Sequence, residues 1–361
     1  MPNHVKPGLS TAPGLGVARG LPERDLNHVL AHAAQDLEAL RGVSVFITGG
    51  TGFVGTWLTQ SLLWANKELG LGLRVVVLTR SPKAFRSRFP FLADEASLGV
   101  LSGDMRTFSY PEGEYPFVIH AATAPHVAAT HQLPLASYPL DVDGTLRVLE
   151  FARTHGTRRL LFTSSGAVYG RVPSAMQPIS EDCTGAPATW DPRSAYGHAK
   201  RTSEWMCTMY SRQFGFDAAI ARLFAFMGPH LPLDAGFAFG NFLRDAMAGG
   251  PVRVKGDGRP LRSYLYSADL AIWLWAILVR GESLRPYNVG SRYAVSIGNL
   301  ARAIVAGTGS GAAIEVQSEP GVPGHDYVPD VRRAESELGL RSWVTLEEGV
   351  RRTCEWYRQV G

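Results

Sequence analysis

Two side chains of complementary acid–base chemistry stand four residues apart in Ser194-Ala195-Tyr196-Gly197-His198-Ala199-Lys200: the phenol of Tyr196 and the ammonium of Lys200. On a helix, positions i and i+4 share one face. A cation held beside a phenol favours the phenolate, so such a group titrates closer to neutrality than a free one. It can then take a proton from an alcohol or return one to a ketone. Far upstream lies Gly49-Gly50-Thr51-Gly52-Phe53-Val54-Gly55. Glycines at this spacing, after a strand and before a helix, let a pyrophosphate approach main-chain N–H groups. A proton-handling phenol together with a dinucleotide turn implies hydride transfer at a carbinol carbon.

Other residues extend this pattern. Thr163-Ser164-Ser165-Gly166-Ala167-Val168-Tyr169-Gly170 follows a strand, and a serine there can hold a substrate oxygen and exchange its proton with Tyr196. Ser165 is the choice, with Ser164 as its neighbour. For the cofactor, the expected contacts are Gly49, Gly52, Phe53, Val54 and Gly55 in the turn, then Thr79, Arg80, Asp104, Met105, Ala121 and Ala122 at strand ends, with Tyr196 and Lys200 at the reactive end. An NAD enzyme usually places a carboxylate at the end of the second strand to grip the ribose hydroxyls. Here the run is Leu78-Thr79-Arg80-Ser81-Pro82-Lys83, with no carboxylate, and Arg80 and Lys83 can meet a 2′-phosphate. NADP(H) is therefore favoured. NAD(H) stays open, since Arg80 stacked on adenine suits either. Asp104 fits a hydrogen bond to the adenine amine or the role of a turn aspartate. His120, His126 and His131 flank the loop after the fourth strand, as polar loop residues or as a further proton donor. His198 points away from the face that Tyr196 and Lys200 share.

These residues need a scaffold. Residues 43–48, 74–78, 117–120, 160–163 and 218–223 read as buried parallel strands, with helical patterns between them at 144–153 and 199–214. Strand and helix in alternation predict an α/β doubly wound parallel sheet. After residue 225, Pro and Gly cluster and elements shorten, which predicts a smaller α/β C-terminal lobe closing over the strand ends. The expected organisation is an arm at 1–23, a helix at 24–41, a dinucleotide-binding domain at 42–225, and a substrate lobe at 226–361 with some segments returning to the first domain. The apolar run Leu270 to Val279 is about half the length that spans a bilayer, and reads as a buried helix.

Composition limits the alternatives. Thirty-six basic and 32 acidic residues leave a net charge of +4, too small and too evenly spread to predict a nucleic-acid partner. Hydrophobic residues at 45% and charged residues at 19% suit a globular enzyme. Cys183, Cys207 and Cys354 lack metal-ligand spacing, so no metal is expected, and buried thiols in a reducing cytoplasm are. Residues 1–23 lack the apolar core of a secretory signal.

The chain resembles the extended short-chain dehydrogenases/reductases of the nucleotide-sugar epimerase/dehydratase family over about residues 42–359. The resemblance rests on the glycine turn, Ser164 to Gly170, Tyr196 to Lys200, Arg222 with Gly228-Pro229, Gly256-Asp257-Gly258 through Arg262 to Asp269, and Tyr287-Asn288-Val289-Gly290. It implies a Rossmann fold, a catalytic trio of Ser165, Tyr196 and Lys200, and Lys200 against the nicotinamide ribose. It also implies a nucleotide-diphosphate sugar as substrate, held by Ser165, Gly166 and Arg262, with Arg222 and Asn241 as further candidates. A homodimer through two long helices is the family habit. Dehydratases of this family carry an Asp-Glu pair after the catalytic hydroxyl residue, and decarboxylases carry the glutamate. This chain has Gly166 and Ala167, which transfer no proton. Ala225, Ser263 and Asp141 depart from the family pattern around the substrate. What remains is hydride transfer at hexose C4, as a 4-ketoreductase or a 4-epimerase, nearly even between them. Dehydration and decarboxylation are the disfavoured alternatives. A non-catalytic NAD(P)-binding sensor or scaffold is the competing class, and the intact Tyr196 and Lys200 speak against it.

Overall fold

A computed structural model describes residues 19–92, 94–123, 134–317 and 324–360. The first half alternates: α1 (Glu23–Glu38), β1 (Ser44–Thr48), α2 (Phe53–Leu69), β2 (Arg74–Thr79), α3 (Pro82–Arg88), β3 (Leu98–Ser102), β4 (Phe117–His120), α4 (Pro134–Thr154), β5 (Arg159–Ser165), α5 (Ala195–Phe214) and β6 (Asp217–Leu223). The second half holds β7 (Phe226–Met227), α6 (Ala238–Met247), β8 (Val252–Lys255), β9 (Leu261–Ser263), β10 (Leu265–Tyr266), α7 (Ser267–Arg280), β11 (Pro286–Val289), β12 (Ala294–Ser296), α8 (Ile297–Thr308), β13 (Ile314–Gln317), α9 (Arg332–Leu338) and α10 (Leu346–Val360).

Seven strands form one sheet in the order β11-β6-β5-β4-β1-β2-β3, and every pairing is parallel. Helices cover both faces, so strand residues such as Val45, Phe46, Ile47 and Val118 are fully buried and the middles of the central strands are apolar runs rather than alternating. The order reverses between β1 and β4, whose last residues Thr48 and His120 stand in register. Such a reversal opens a crevice at the carboxyl ends of the strands, which is where doubly wound folds bind ligands.

The second half only partly leaves the sheet. β11 returns to its edge beside β6. The run predicted as a buried helix is α7, and every residue from Ser267 to Leu278 is buried. Short pairs β7–β10, β9–β12 and β8–β13, with α6 and α8, build the lobe. Helix starts differ from expectation. α4 already includes Pro134, ten residues before Gly144, where the sequence pattern placed its start. α5 begins at Ala195, which places Tyr196 inside the helix.

α1 packs on α2 and α7 through Val29, Ala33 and Leu37, none more than 1% exposed. Its buried carboxylates are paired. Asp25 accepts from the Tyr266 hydroxyl at 2.7 Å and from Arg352 at 2.8 Å, and Asp36 accepts from Arg280 at 2.7 Å. The last residues of the expected arm dock onto this body: the Leu21 amide donates to Gln60 Oε1 at 2.8 Å, and Trp356 Nε1 donates to the Gly20 carbonyl. Among the described residues no helix is long and apolar enough to cross a membrane.

Candidate active site

β5 delivers two serines with opposite fates. Successive strand residues face opposite ways. Ser164 donates to Glu204 Oε1 on α5, away from the cleft. Ser165 begins the 3-10 turn Gly166–Tyr169, and its Oγ accepts from the Ala167 amide at 3.1 Å. Gly197 lets α5 lie against this turn, since a Cβ there would stand 2.6 Å from the Ala167 carbonyl oxygen. Tyr196, in the first turn of α5, lines the cleft. Lys200 is 2% exposed, and its Nζ donates to the Thr163 carbonyl at 3.1 Å. The ammonium sits 5.7 Å from the Tyr196 ring centroid and 4.9 Å from that of Phe162. Aromatic faces and a carbonyl thus hold it in a desolvated place.

The cleft has a volume of about 1100 Å³. Gly49, Gly52 and Phe53 of the glycine turn line it, as do Thr79 and Arg80 after β2, Asp104 and Met105 after β3, and Ala121 and Ala122 after β4. Val54 and Gly55 stand behind, in the first turn of α2. A Cβ on Gly49 would meet Ala121 backbone at 2.5 Å, and one on Gly55 would meet the Gly49 carbonyl at 2.2 Å. Gly52, the N-cap of α2, has no side chain to cap the helix, so the first amides of α2 are left for a ligand. These features fit a dinucleotide: a cradle closed to side chains, free amides for a pyrophosphate, and a cation at the end of β2. Asp104 also holds Arg106, whose amide and Nε donate to Oδ1 at 3.0 and 2.9 Å, and those bonds keep its carboxyl below the usual range.

Other expected residues separate. Arg222 is spent inside the protein. It pairs with both Glu204 oxygens at 3.0 and 2.7 Å, and it donates to the Tyr169 hydroxyl and the Glu181 carbonyl. Asn241 lies on α6, just beyond Phe237, which lines the cleft while Asn241 does not. Arg262 stands on the lobe beside the reactive end. It donates to the Leu261 and His325 carbonyls, lies 5.8 Å from the Tyr327 ring centroid, and burial lowers its pKa. His120 is 2% exposed between Thr48 Oγ1 at 2.7 Å and Thr145 Oγ1 at 3.1 Å. Burial and the Lys200 charge push it down to about 3, so it is a neutral structural link. His126 and His131 lie outside the described residues.

Two residues escaped the sequence reading. Arg88, at the end of α3, lines the cleft and donates to the Thr51 carbonyl in the glycine turn at 2.9 Å. Its signal was a basic run from Arg80 to Arg88 that resembled a solvated face. Tyr327 reaches the reactive end from the far C-terminal segment. A Cβ on Gly166 would stand 2.4 Å from its hydroxyl. Nothing in the local sequence marks it.

A doubly wound fold with a glycine turn at its crevice, a tyrosine lining that crevice and a buried lysine one helical turn on defines the class as an extended short-chain dehydrogenase/reductase. The profile of the NAD dependent epimerase/dehydratase family matches residues 45–290, and the chain belongs to that family. It is 30% identical over 315 residues to UDP-glucuronic acid decarboxylase 1 of Xenopus tropicalis, covering 87% of this chain and 72% of that one. Among solved structures, an epimerase from Methanothermobacter thermautotrophicus superposes with a TM-score of 0.77 at 22% identity, covering 91% and 96% of the two chains. The Bordetella bronchiseptica enzyme WbmF in complex with NADH superposes with a TM-score of 0.73 at 23% identity, covering 89% and 94%.

Proposed function

We propose that the protein performs reversible hydride transfer at C4 of a hexose linked to a nucleotide diphosphate, as a 4-ketoreductase or a 4-epimerase. The observation that carries this reading is the reactive end itself. Tyr196 lines the cleft with the buried Lys200 ammonium 5.7 Å from its ring centroid, Ser165 ends the strand β5 beside them, and the two positions after Ser165 are Gly166 and Ala167. Proton exchange with a carbinol oxygen needs only the trio. Removal of a C5 proton or of a carboxyl group calls for an acid–base side chain where these residues have none.

Gly49, Gly52, Arg80 and Asp104 would hold the dinucleotide, with Lys200 toward its nicotinamide ribose. When bound, the nicotinamide supplies or receives the hydride. Tyr196 takes or returns the proton at O4, Ser165 holds that oxygen, and the buried Lys200 charge stabilises the phenolate form while the proton is away. Arg262 would contact the diphosphate. Arg80 at a strand end without a carboxylate favours NADP(H), and Arg88 adds a second cation in the same cleft. The long helices α4 and α5, which pack on each other and expose Leu146, Trp205 and Phe214, are the proposed homodimer contact.

The similarity to UDP-glucuronic acid decarboxylases favours a second reading, decarboxylation of a nucleotide hexuronic acid. Gly166 and Ala167 weigh against it. The redox state of cofactor in freshly purified protein separates the two leading forms. Tightly held oxidised cofactor marks an epimerase. A site that arrives empty and fills with NADPH marks a reductase. A protein that binds neither coenzyme form refutes both.

A further inference from the structure

Arg88 carries a charge into the cleft without a carboxylate to meet it. The end of α3 is anchored by Phe85 and Phe89, which are buried in the core four residues apart. Ser81, Ala84 and Arg88, at i, i+3 and i+7, then run along the cleft, and all three line it. The Arg88 guanidinium reaches the glycine turn and donates to the Thr51 carbonyl at 2.9 Å. Thr51 directly precedes Gly52, the N-cap of α2, so the cation stands beside the uncapped amides of that helix. Burial disfavours its charge, and among the described residues no carboxylate pairs with it. Arg80 differs: it is exposed and lies just past the end of β2. Among the described residues these two are the cations that line the cleft, and the lobe adds only Leu231, Pro232, Ala235 and Phe237, all apolar.

We infer that Arg88 binds the pyrophosphate of the coenzyme, while Arg80 is left for the 2′-phosphate where there is one. A guanidinium has five N–H donors in a planar fork that matches phosphate oxygens. The Thr51 carbonyl accepts from one nitrogen and orients the fork, and the other donors remain for the anion. A carbonyl brings no net charge, so a phosphate at the N-terminus of α2 is what offsets the half-buried cation. NAD(H) and NADP(H) share the pyrophosphate, so Arg88 raises affinity for both and selects neither. This inference rests on the reading of the cleft as a dinucleotide site.

Calorimetric titration of the full-length protein, freed of bound coenzyme, with NAD⁺, NADP⁺ and ADP-ribose tests it. R88M keeps the apolar stem of the side chain and removes the charge. It should weaken all three ligands by roughly 10–100-fold, the size of a charge-assisted hydrogen bond, with the ratio of NADP⁺ to NAD⁺ affinity within about twofold of wild type. ADP-ribose lacks the nicotinamide, so an equal loss there separates the effect from the reactive end. Salt separates charge pairing from bracing of the glycine turn: the slope of log Kd against log ionic strength should be shallower in R88M than in wild type. Unchanged affinity overturns the inference. A loss confined to NADP⁺ overturns it by moving Arg88 to the 2′-phosphate, and equal losses with an unchanged salt slope overturn it by reducing Arg88 to a brace of the turn. A wild-type protein that binds none of the three ligands removes the dinucleotide reading itself, and this inference with it.

Discussion

Tyr196→Phe removes one oxygen and leaves the ring in place above Lys200. The ring lines the cleft and stands 5.7 Å from the Lys200 ammonium, and phenylalanine reproduces both placements. Stability should therefore change by less than about 0.5 kcal/mol, the range of substitutions that touch no core contact. Coenzyme affinity should stay within about twofold, because the substitution leaves the glycine turn and the strand ends proposed to cradle it unchanged. Turnover should not survive in the same way. A positioned acid–base group contributes ~10²–10⁴ in rate, or about 3–5 kcal/mol of barrier. The assay is NADPH consumption with a nucleotide 4-keto-hexose, paired with calorimetric coenzyme binding on the same sample. A variant that holds coenzyme normally and retains more than about a tenth of wild-type kcat would refute the assignment of Tyr196 as the proton-transfer group.

Two further predictions address the cofactor and the fold. Arg80→Ala should weaken NADP(H) binding by roughly 10–100-fold, the size of a charge-assisted hydrogen bond, and NAD(H) binding by less than about threefold; equal losses in a binding titration would remove Arg80 from the 2′-phosphate. His120 and His230 are both pushed down to about 3 by burial, with the Lys200 and Arg88 charges adding to it. An unfolded histidine titrates near 6.5, so below that pH the unfolded chain binds more protons and stability falls as pH drops toward the folded values. At pH 5 each histidine should cost about 2 kcal/mol relative to pH 7, and His120→Gln should make the urea midpoint fall less steeply between pH 7 and pH 5; an unchanged slope would show that His120 is not buried neutral.

The scaffold was legible because its signals are local. Val43 to Thr48 is apolar without alternation, the glycine turn follows at once, and Leu270 to Val279 is too short for a membrane and too apolar for a surface. These features give the doubly wound sheet and the crevice. The positions of Ser165, Tyr196 and Lys200 on the scaffold were legible for the same reason, since Ser165 ends β5 and the other two stand four residues apart on α5. What escaped depends on distant contacts. Arg222 reads as a strand-end cation, and only packing shows that Glu204, Tyr169 and Glu181 consume its donors. Tyr327 sits 161 residues beyond Gly166, and no periodicity in its own segment links the two. The docking of Gly20 and Leu21 depends likewise on Gln60 and Trp356. Local chemistry predicts elements, while the spending of a polar group depends on neighbours that the fold supplies.

The most direct measurement is mass spectrometry and NMR of the product formed from a panel of nucleotide hexoses, 4-keto-hexoses and hexuronic acids, with NADPH deuterated at the transferable position. As a ketoreductase the protein yields a product with every carbon and oxygen retained and deuterium at C4. As an epimerase it yields the C4 epimer of the hexose with no change in mass. A product lighter by one water or one carbon dioxide contradicts the account, because Gly166 and Ala167 would then be standing where acid–base chemistry takes place.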